Sequence, residues 1–308
     1  VFREANWLSP VSLLFQLDRT DQILNPSNGW QGTIDLQTAS RLTASDFAYQ
    51  RATATVSGYL EFGSGAVAAL RLAGGVVTEG EFLRIDQLQG GAGIVHPEKR
   101  LYSGGANSVR GFAENRLGPR ILVSDAVDLV EFPDGSAVCS PEQVFDRSCD
   151  ASALAPGRFT TRPTGGSRLL EANLELRLPF GGDSFQFVSF VDAGQVWEAG
   201  VDIDPSDIEV TPGVGVRYFS PVGPIRIDLG LRPDQRDALP VVSSGIRPFD
   251  PDADDPDRRL RVRGPGGVQS IDWVRTGDLI FLDPPVAFGR SSGFFERIQL
   301  HISIGQAF

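Results

Sequence analysis

The sequence predicts an all-β protein, a transmembrane antiparallel β-barrel. Three observations point there. Many segments alternate strictly between apolar and polar residues, the period of a strand. The polar sides of these segments carry full charges, among them Glu175, Arg177, Arg217, Arg226 and Asp228, which suits a wet lumen better than a dry core. Connections between them alternate between short, such as Ser220 to Pro224, and very long, over 113–167 and 231–293, as in barrels with short turns on one side of the membrane and long loops on the other. A soluble β-sandwich would also alternate. The charges, and strand lengths near the ~9–11 residues that cross a bilayer at a tilt, favour the barrel.

The segments follow in order. Residues 11–18 and 30–37 alternate first. In 51–62, Ala52, Ala54, Val56, Leu60 and Phe62 face away from Arg51, Thr53, Thr55, Ser57 and Glu61. Residues 66–72 follow. In 170–178, Leu170, Ala172, Leu174, Leu176 and Leu178 oppose Glu171, Asn173, Glu175 and Arg177. Residues 213–219 and 225–229 come next. In 297–308, Ile298, Leu300, Ile302, Ile304 and Phe308 oppose Arg297, Gln299, His301 and Ser303. The reading is of about ten strands, an even number as bacterial barrels have.

Composition narrows the function classes. The 308 residues contain no methionine, so the chain reads as an internal-to-C-terminal piece of a longer protein. Its apolar runs fall far short of the ~20 residues of a membrane helix. A net charge of −11 argues against a nucleic-acid partner, because phosphate binding needs a basic face. Cys139 and Cys149 have no histidine near them, which is not a zinc pattern. GGAGIVHP at 90–97 opens no helix and so lacks a phosphate-binding context. His96 and His301 lie far apart and read as ordinary polar residues. DPDADDPD at 250–257 lacks the glycine and distal glutamate of a calcium loop. No nucleophile-elbow pattern appears. No enzyme, cofactor or metal site is expected. Within 231–293, LRVRG and DLIFL are β-like and suggest a surface hairpin.

Several motifs, in order, carry a resemblance. They are LDRTDQILNPSNGW (17–30), RLYSGGANSVRGF (100–112) followed by LGP (117–119), NLELRLPF (173–180), FVDAGQVW (190–197) and GVGVRYFSPVGPIRIDLG (213–230), with a last strand closing on Phe308. Together they resemble the outer-membrane protein assembly factor family, the BamA/TamA-type barrels also called the bacterial surface antigen family. The resemblance implies a 16-stranded barrel of the outer membrane. Residues 1–308 would be its last ten or so strands, unclosed by themselves, with the earlier strands and the periplasmic POTRA domains upstream.

The resemblance also implies roles. Val109, Arg110, Gly111 and Phe112 would form a latch on the loop that folds into the barrel, with Arg110 meeting acids on the lumen wall. Alternation puts Glu175 on the polar face, whereas Asp192 is assigned inward partly on the resemblance. A guanidinium can hold two carboxylates by paired hydrogen bonds, and Gly111 allows a tight turn beside it. Ile302, Ile304, Gly305 and Phe308 would lie on the seam strand, where Gly305 leaves a kink-prone spot. Cys139 and Cys149, in a loop facing an oxidising exterior, would close a disulfide. The implied function is non-enzymatic insertion or translocation of outer-membrane proteins. Implied partners are outer-membrane lipids or lipopolysaccharide, unfolded barrel clients, and periplasmic or lipoprotein accessory subunits. A two-partner secretion transporter, a passive porin and a soluble binding module are the alternatives.

Overall fold

The structure is a computed structural model. It describes residues 7–79, 95–131, 137–182, 184–220, 223–234, 237–289, 293–305 and 308. The chain runs through β1 (Val11–Asp18), β2 (Gly29–Ala39), β3 (Tyr49–Phe62), β4 (Ala66–Glu79), β5 (Arg120–Ser124), β6 (Thr160–Pro163), β7 (Arg168–Phe180) and β8 (Phe185–Trp197). It continues through β9 (Glu209–Ser220), β10 (Gly223–Leu231), β11 (Asp237–Pro248), β12 (Arg259–Gly264), β13 (Gly267–Phe288) and β14 (Ile298–Ile304). Two short helices, α1 (Ala126–Val130) and α2 (Pro141–Phe145), follow β5. No helix among the described residues is long and apolar enough to cross a membrane, which says nothing of strands.

The strands fall into two compact units. The first, Val1–Pro119 with Gly165–Asp234 and Ser292–Phe308, holds a nine-stranded sheet in the order β1-β2-β3-β4-β7-β8-β9-β10-β14. Each neighbouring pair is antiparallel. Among the described residues the sheet therefore has nine strands where about ten were expected, with β1 and β14 at its two edges. Most strands run longer than their alternating cores suggested. β4 extends to Glu79 through Gly74 and Gly75, where the apolar pattern fades but pairing with β7 continues.

Alternation divides the two faces sharply. On β7, Leu174 is 54% exposed while Glu175 beside it is 1% exposed. The outer face continues through Ile34, Val56, Leu72, Val214, Ile227 and Ile302, all exposed. The charged residues are buried on the inner face, the reverse of a soluble sandwich, in which the leucines would be covered. This sheet curls around that face. Tyr59, on its third strand, stacks with Phe308, which follows its ninth, at 6.5 Å between ring centres.

Phe308 corrects one expectation. Parity puts it on the outer face with Ile302 and Ile304. In the structure β14 ends at Ile304, Gly305 takes φ +103°, and Phe308 packs inward against Tyr59, Val67 and Ala69. A left-handed residue breaks the two-residue period, so parity no longer predicts the face beyond it.

The second unit, Arg120–Thr164 with Gln235–Ser291, is a folded body within the two long connections 113–167 and 231–293. Its five-stranded sheet has the order β12-β13-β11-β5-β6, with β5 and β11 parallel. One face packs a core that includes Leu122, Leu129, Val144, Val241, Val262 and Leu282. Instead of a lone hairpin, 235–291 contributes three strands, and β11 is bonded to a strand more than a hundred residues earlier. Cys139 and Cys149 are disulfide-bonded and buried in this core. The 250–257 stretch is a turn tied down by Asp254, which accepts from both Nη atoms of Arg247.

Candidate functional site

The site lies on the inner face of the nine-stranded sheet, between its strands and the segment that follows β4. Near its start and end that segment is held by single bridges, with Leu101 opposite Gly166 and Ser103 opposite Leu117. Between them the backbone turns twice. Ser108 N–H donates to Gly105 carbonyl, and Phe112 N–H donates to Val109 carbonyl. Val109, Phe112 and Leu117 bury their apolar side chains together. This compact knot leaves Arg110 pointing at the strands.

Arg110 is 1% exposed. Its Nε and Nη2 donate to Oδ2 and Oδ1 of Asp192, both at 2.8 Å, a paired fork. Its backbone N–H also donates to Asp192 Oδ2 at 3.0 Å. Nη1 donates to Glu175 Oε1 at 2.6 Å. Asp228 on β10 lies 3.7 Å from the same Nη1. The guanidinium carbon sits 3.5 Å from the centre of the Phe190 ring, so an aromatic face backs the cation. Acids from β7, β8 and β10 thus converge on one side chain. Beside it, Gly111 touches β9 so closely that any Cβ would collide with Thr211, and its N–H donates to Thr211 Oγ1.

The two acids are themselves crowded with donors. Glu175 Oε2 accepts from Arg177 Nε at 2.9 Å and Arg217 Nη2 at 2.6 Å. Asp192 Oδ1 accepts from Asn173 Nδ2 at 2.9 Å, and that amide also donates to Ser108 carbonyl. Further along, Glu171 accepts from Ser103, Ser108 and Arg71. Arg226 donates to Asn107 Oδ1 and Ala106 carbonyl, tying the turn to β10. His301 on β14 places Nε2 3.0 Å from the Arg110 carbonyl oxygen.

The structure therefore brings Arg110, Glu175 and Asp192 together, with Val109, Gly111 and Phe112 around them. Sequence reasoning had Asn173, Arg177, Arg217, Arg226, Asp228 and His301 on polar faces but gave them no partners, and it gave Phe190 no role. Parity was the signal available for all of them, since each lies on the inner side of its strand. Ile302 and Ile304 stand exposed on the outer face, opposite Ile227 and Ile225. Cys139 and Cys149 belong to the other unit. His96 caps a short turn by accepting from Glu98 N–H. Residues 90–94 of the glycine-rich stretch lie outside the described residues. Among the described residues, no group of three or more His, Cys, Asp and Glu could hold a metal ion.

Comparison with known proteins gives two results. The family model of the Omp85 superfamily domain matches residues 3–242. Among solved structures, the fold is similar to that of BamA from Haemophilus ducreyi lacking POTRA domains 1–3. The two share 19% sequence identity at a TM-score of 0.52, over 72% of this chain and 38% of that one. This chain thus spans well under half the length of that structure.

Proposed function

The chain belongs to the Omp85 superfamily, and on that premise we propose that it is part of a bacterial outer-membrane barrel that assists insertion or translocation of other outer-membrane proteins. In this reading the nine-stranded sheet is completed by upstream strands to a 16-stranded barrel, preceded by POTRA domains. Lipid or lipopolysaccharide covers the apolar face, and water fills the charged one. Unfolded barrel proteins are its clients, and periplasmic or lipoprotein subunits assist it. The work is done by binding and strand exchange, without catalysis.

The observation that carries the reading is the pairing of an exposed apolar face with a buried charged face that one loop enters and Arg110 ties down. An assembly factor needs a wall that holds its shape while one edge exchanges partners. β14 offers such an edge. It is seven residues long, against eight for β1 and nine for β10, and its chain leaves the ladder at Gly305. An unpaired edge presents backbone donors and acceptors that can template an incoming strand.

The test is folding of an unfolded barrel client into liposomes that contain the full-length protein. Faster client folding than in empty liposomes is expected. An unchanged folding rate together with steady conductance in a planar bilayer would identify a passive porin. Export of one dedicated partner, with no effect on barrel folding, would identify a secretion transporter.

A further inference from the structure

Among the described residues, β14 has one neighbour in the sheet, β10. Its inward side chains are Gln299, His301 and Ser303, each less exposed than the residue that follows it. The Gln299 amide donates to the Leu300 carbonyl within the same strand, and the Ser303 hydroxyl has no partner among the described residues. His301 alone of the three reaches outside the strand, with Nε2 3.0 Å from the Arg110 carbonyl oxygen. A carbonyl oxygen only accepts, so Nε2 carries the proton and donates it.

The acceptor is fixed from its other sides. The Arg110 carbonyl rests on β10 at Gly230, where any Cβ would stand 2.3 Å from that oxygen. The Arg110 side chain is tied to Glu175 and Asp192, and the next N–H, that of Gly111, donates to Thr211 Oγ1. Across the ladder Gly230 pairs with Gln299, and Asp228 with His301. The peptide between Arg110 and Gly111 therefore lies over the β10–β14 pair. Glu175 on β7 and Asp192 on β8 cannot hold β14 themselves, because β9 and β10 stand between. Through Arg110 the hold on β7 and β8 is carried past those two strands to the edge.

We propose that His301 is a positioning residue that couples the latch to the edge strand. While the guanidinium is seated on its acids, the Arg110 carbonyl faces His301 and β14 is held in register on β10. When the guanidinium leaves, the carbonyl moves off and β14 keeps only its ladder to β10. The edge thereby senses whether the loop is seated. The role deepens the assembly reading and rests on it for its use in strand exchange, but the coupling belongs to the fold and is measured without a client.

The experiment follows hydrogen exchange of the peptide 298–304 in the full-length protein in detergent. Losing one net hydrogen bond that opposes local opening should speed exchange by roughly three- to tenfold. H301L should do so at β14 and leave β1 to β3 unchanged. H301Q, whose terminal amide nitrogen reaches about as far as Nε2, should restore slow exchange, whereas H301N, whose donor sits nearer the backbone, should not. R110A should speed β14 exchange when His301 is present and add less than about twofold in the H301L background, as a shared contact requires. Equal β14 exchange in wild type and H301L, or effects of R110A and H301L that multiply in full, overturns the coupling. Should H301L fail to fold, equal exchange in H301Q and H301N overturns it. Client folding in liposomes is read separately on the wild type. A wild type that does not speed it sinks the assembly reading and leaves the coupling standing.

Discussion

Arg110 is where a single side chain decides the most. Every hydrogen bond its guanidinium makes goes to an acid that is itself buried. Breaking a buried pair by removing one partner leaves the other charge uncompensated and typically costs about 3–5 kcal/mol. Arg110→Ala should therefore lower the temperature at which the folded barrel loses its compact gel mobility in detergent. Arg110→Lys should recover only part of the loss, because one ammonium cannot span Asp192 in a fork and reach Glu175 too. Wild-type heat resistance in Arg110→Ala would remove the latch. Gly111→Val should act in the same direction, since its side chain would collide with Thr211. A second residue-scale prediction concerns Asp21 in the β1–β2 turn. Burial pushes its carboxyl up, but the Ser27 hydroxyl and the Asn28 and Ser27 N–H groups together outweigh it and bring it down to about 2. A carboxylate whose pKa is lower folded than unfolded stabilises the turn above its ordinary value of 3.8 and loses that effect as pH falls through about 2. Exchange protection of the Ser27 and Asn28 amides should fall across that window in the wild type, whereas D21A, which has no acceptor, should show low protection at every pH.

At the scale of elements, the last strand and the second unit make separate predictions. β14 pairs with β10 from Leu231↔Ile298 to Ile225↔Ile304, then stops where Gly305 adopts a left-handed conformation. A β-branched residue there is strained by its Cβ. Gly305→Val should pull Phe308 out of its place beside Tyr59 and Arg177. The measurement is the rate at which a tyrosine-selective reagent modifies Tyr59, which is 6% exposed. Modification should be slow when Gly305 is kept and fast in Gly305→Val. Equal rates would show that the tuck does not depend on the glycine. In the other unit the Cys139–Cys149 ring is short, and the chain-entropy relation gives about 3 kcal/mol for a loop of this size. C139S/C149S should make 120–164 and 235–291 sensitive to protease at a lower temperature while leaving the nine-stranded unit resistant. Simultaneous loss of both units would mean that they unfold as one.

At the scale of the whole molecule, the two faces of the nine-stranded sheet set what surrounds it. The outer face exposes a continuous array of leucine, isoleucine, valine and phenylalanine side chains that water would not tolerate over such an area. The inner face buries eight fully charged side chains among the described residues, and it can do so because carboxylates and guanidiniums alternate across neighbouring strands and the inserted segment. Such a molecule should partition with lipid or detergent and precipitate when detergent is removed. Survival as a soluble monomer would contradict the membrane reading outright. The inner network also predicts how the barrel resists deformation. Arg110, Gly111, Asn107 and Ser108 between them reach β7, β8, β9, β10 and β14. Variants that release the latch should therefore loosen the wall on the β7 to β14 side more than the β1 to β3 side, which hydrogen exchange resolved by strand would reveal.

The alternation of side chains was enough, by itself, to place eight of the nine strands of the larger sheet, all but β8, and to give the inner placement of Glu175, Arg177, Arg217 and Asp228. A strand's period is local and strict, so two residues apart means one face. The membership of Arg110 in that network came from a motif, because a loop has no period to read. Only the tertiary structure decided the rest. It joined β5 to β11 across more than a hundred residues, made one folded unit from two segments that look like loops, and turned Phe308 inward. Pairing between distant short strands rests on contacts that no local window contains, and one glycine of positive φ resets the parity on which every earlier face assignment depends.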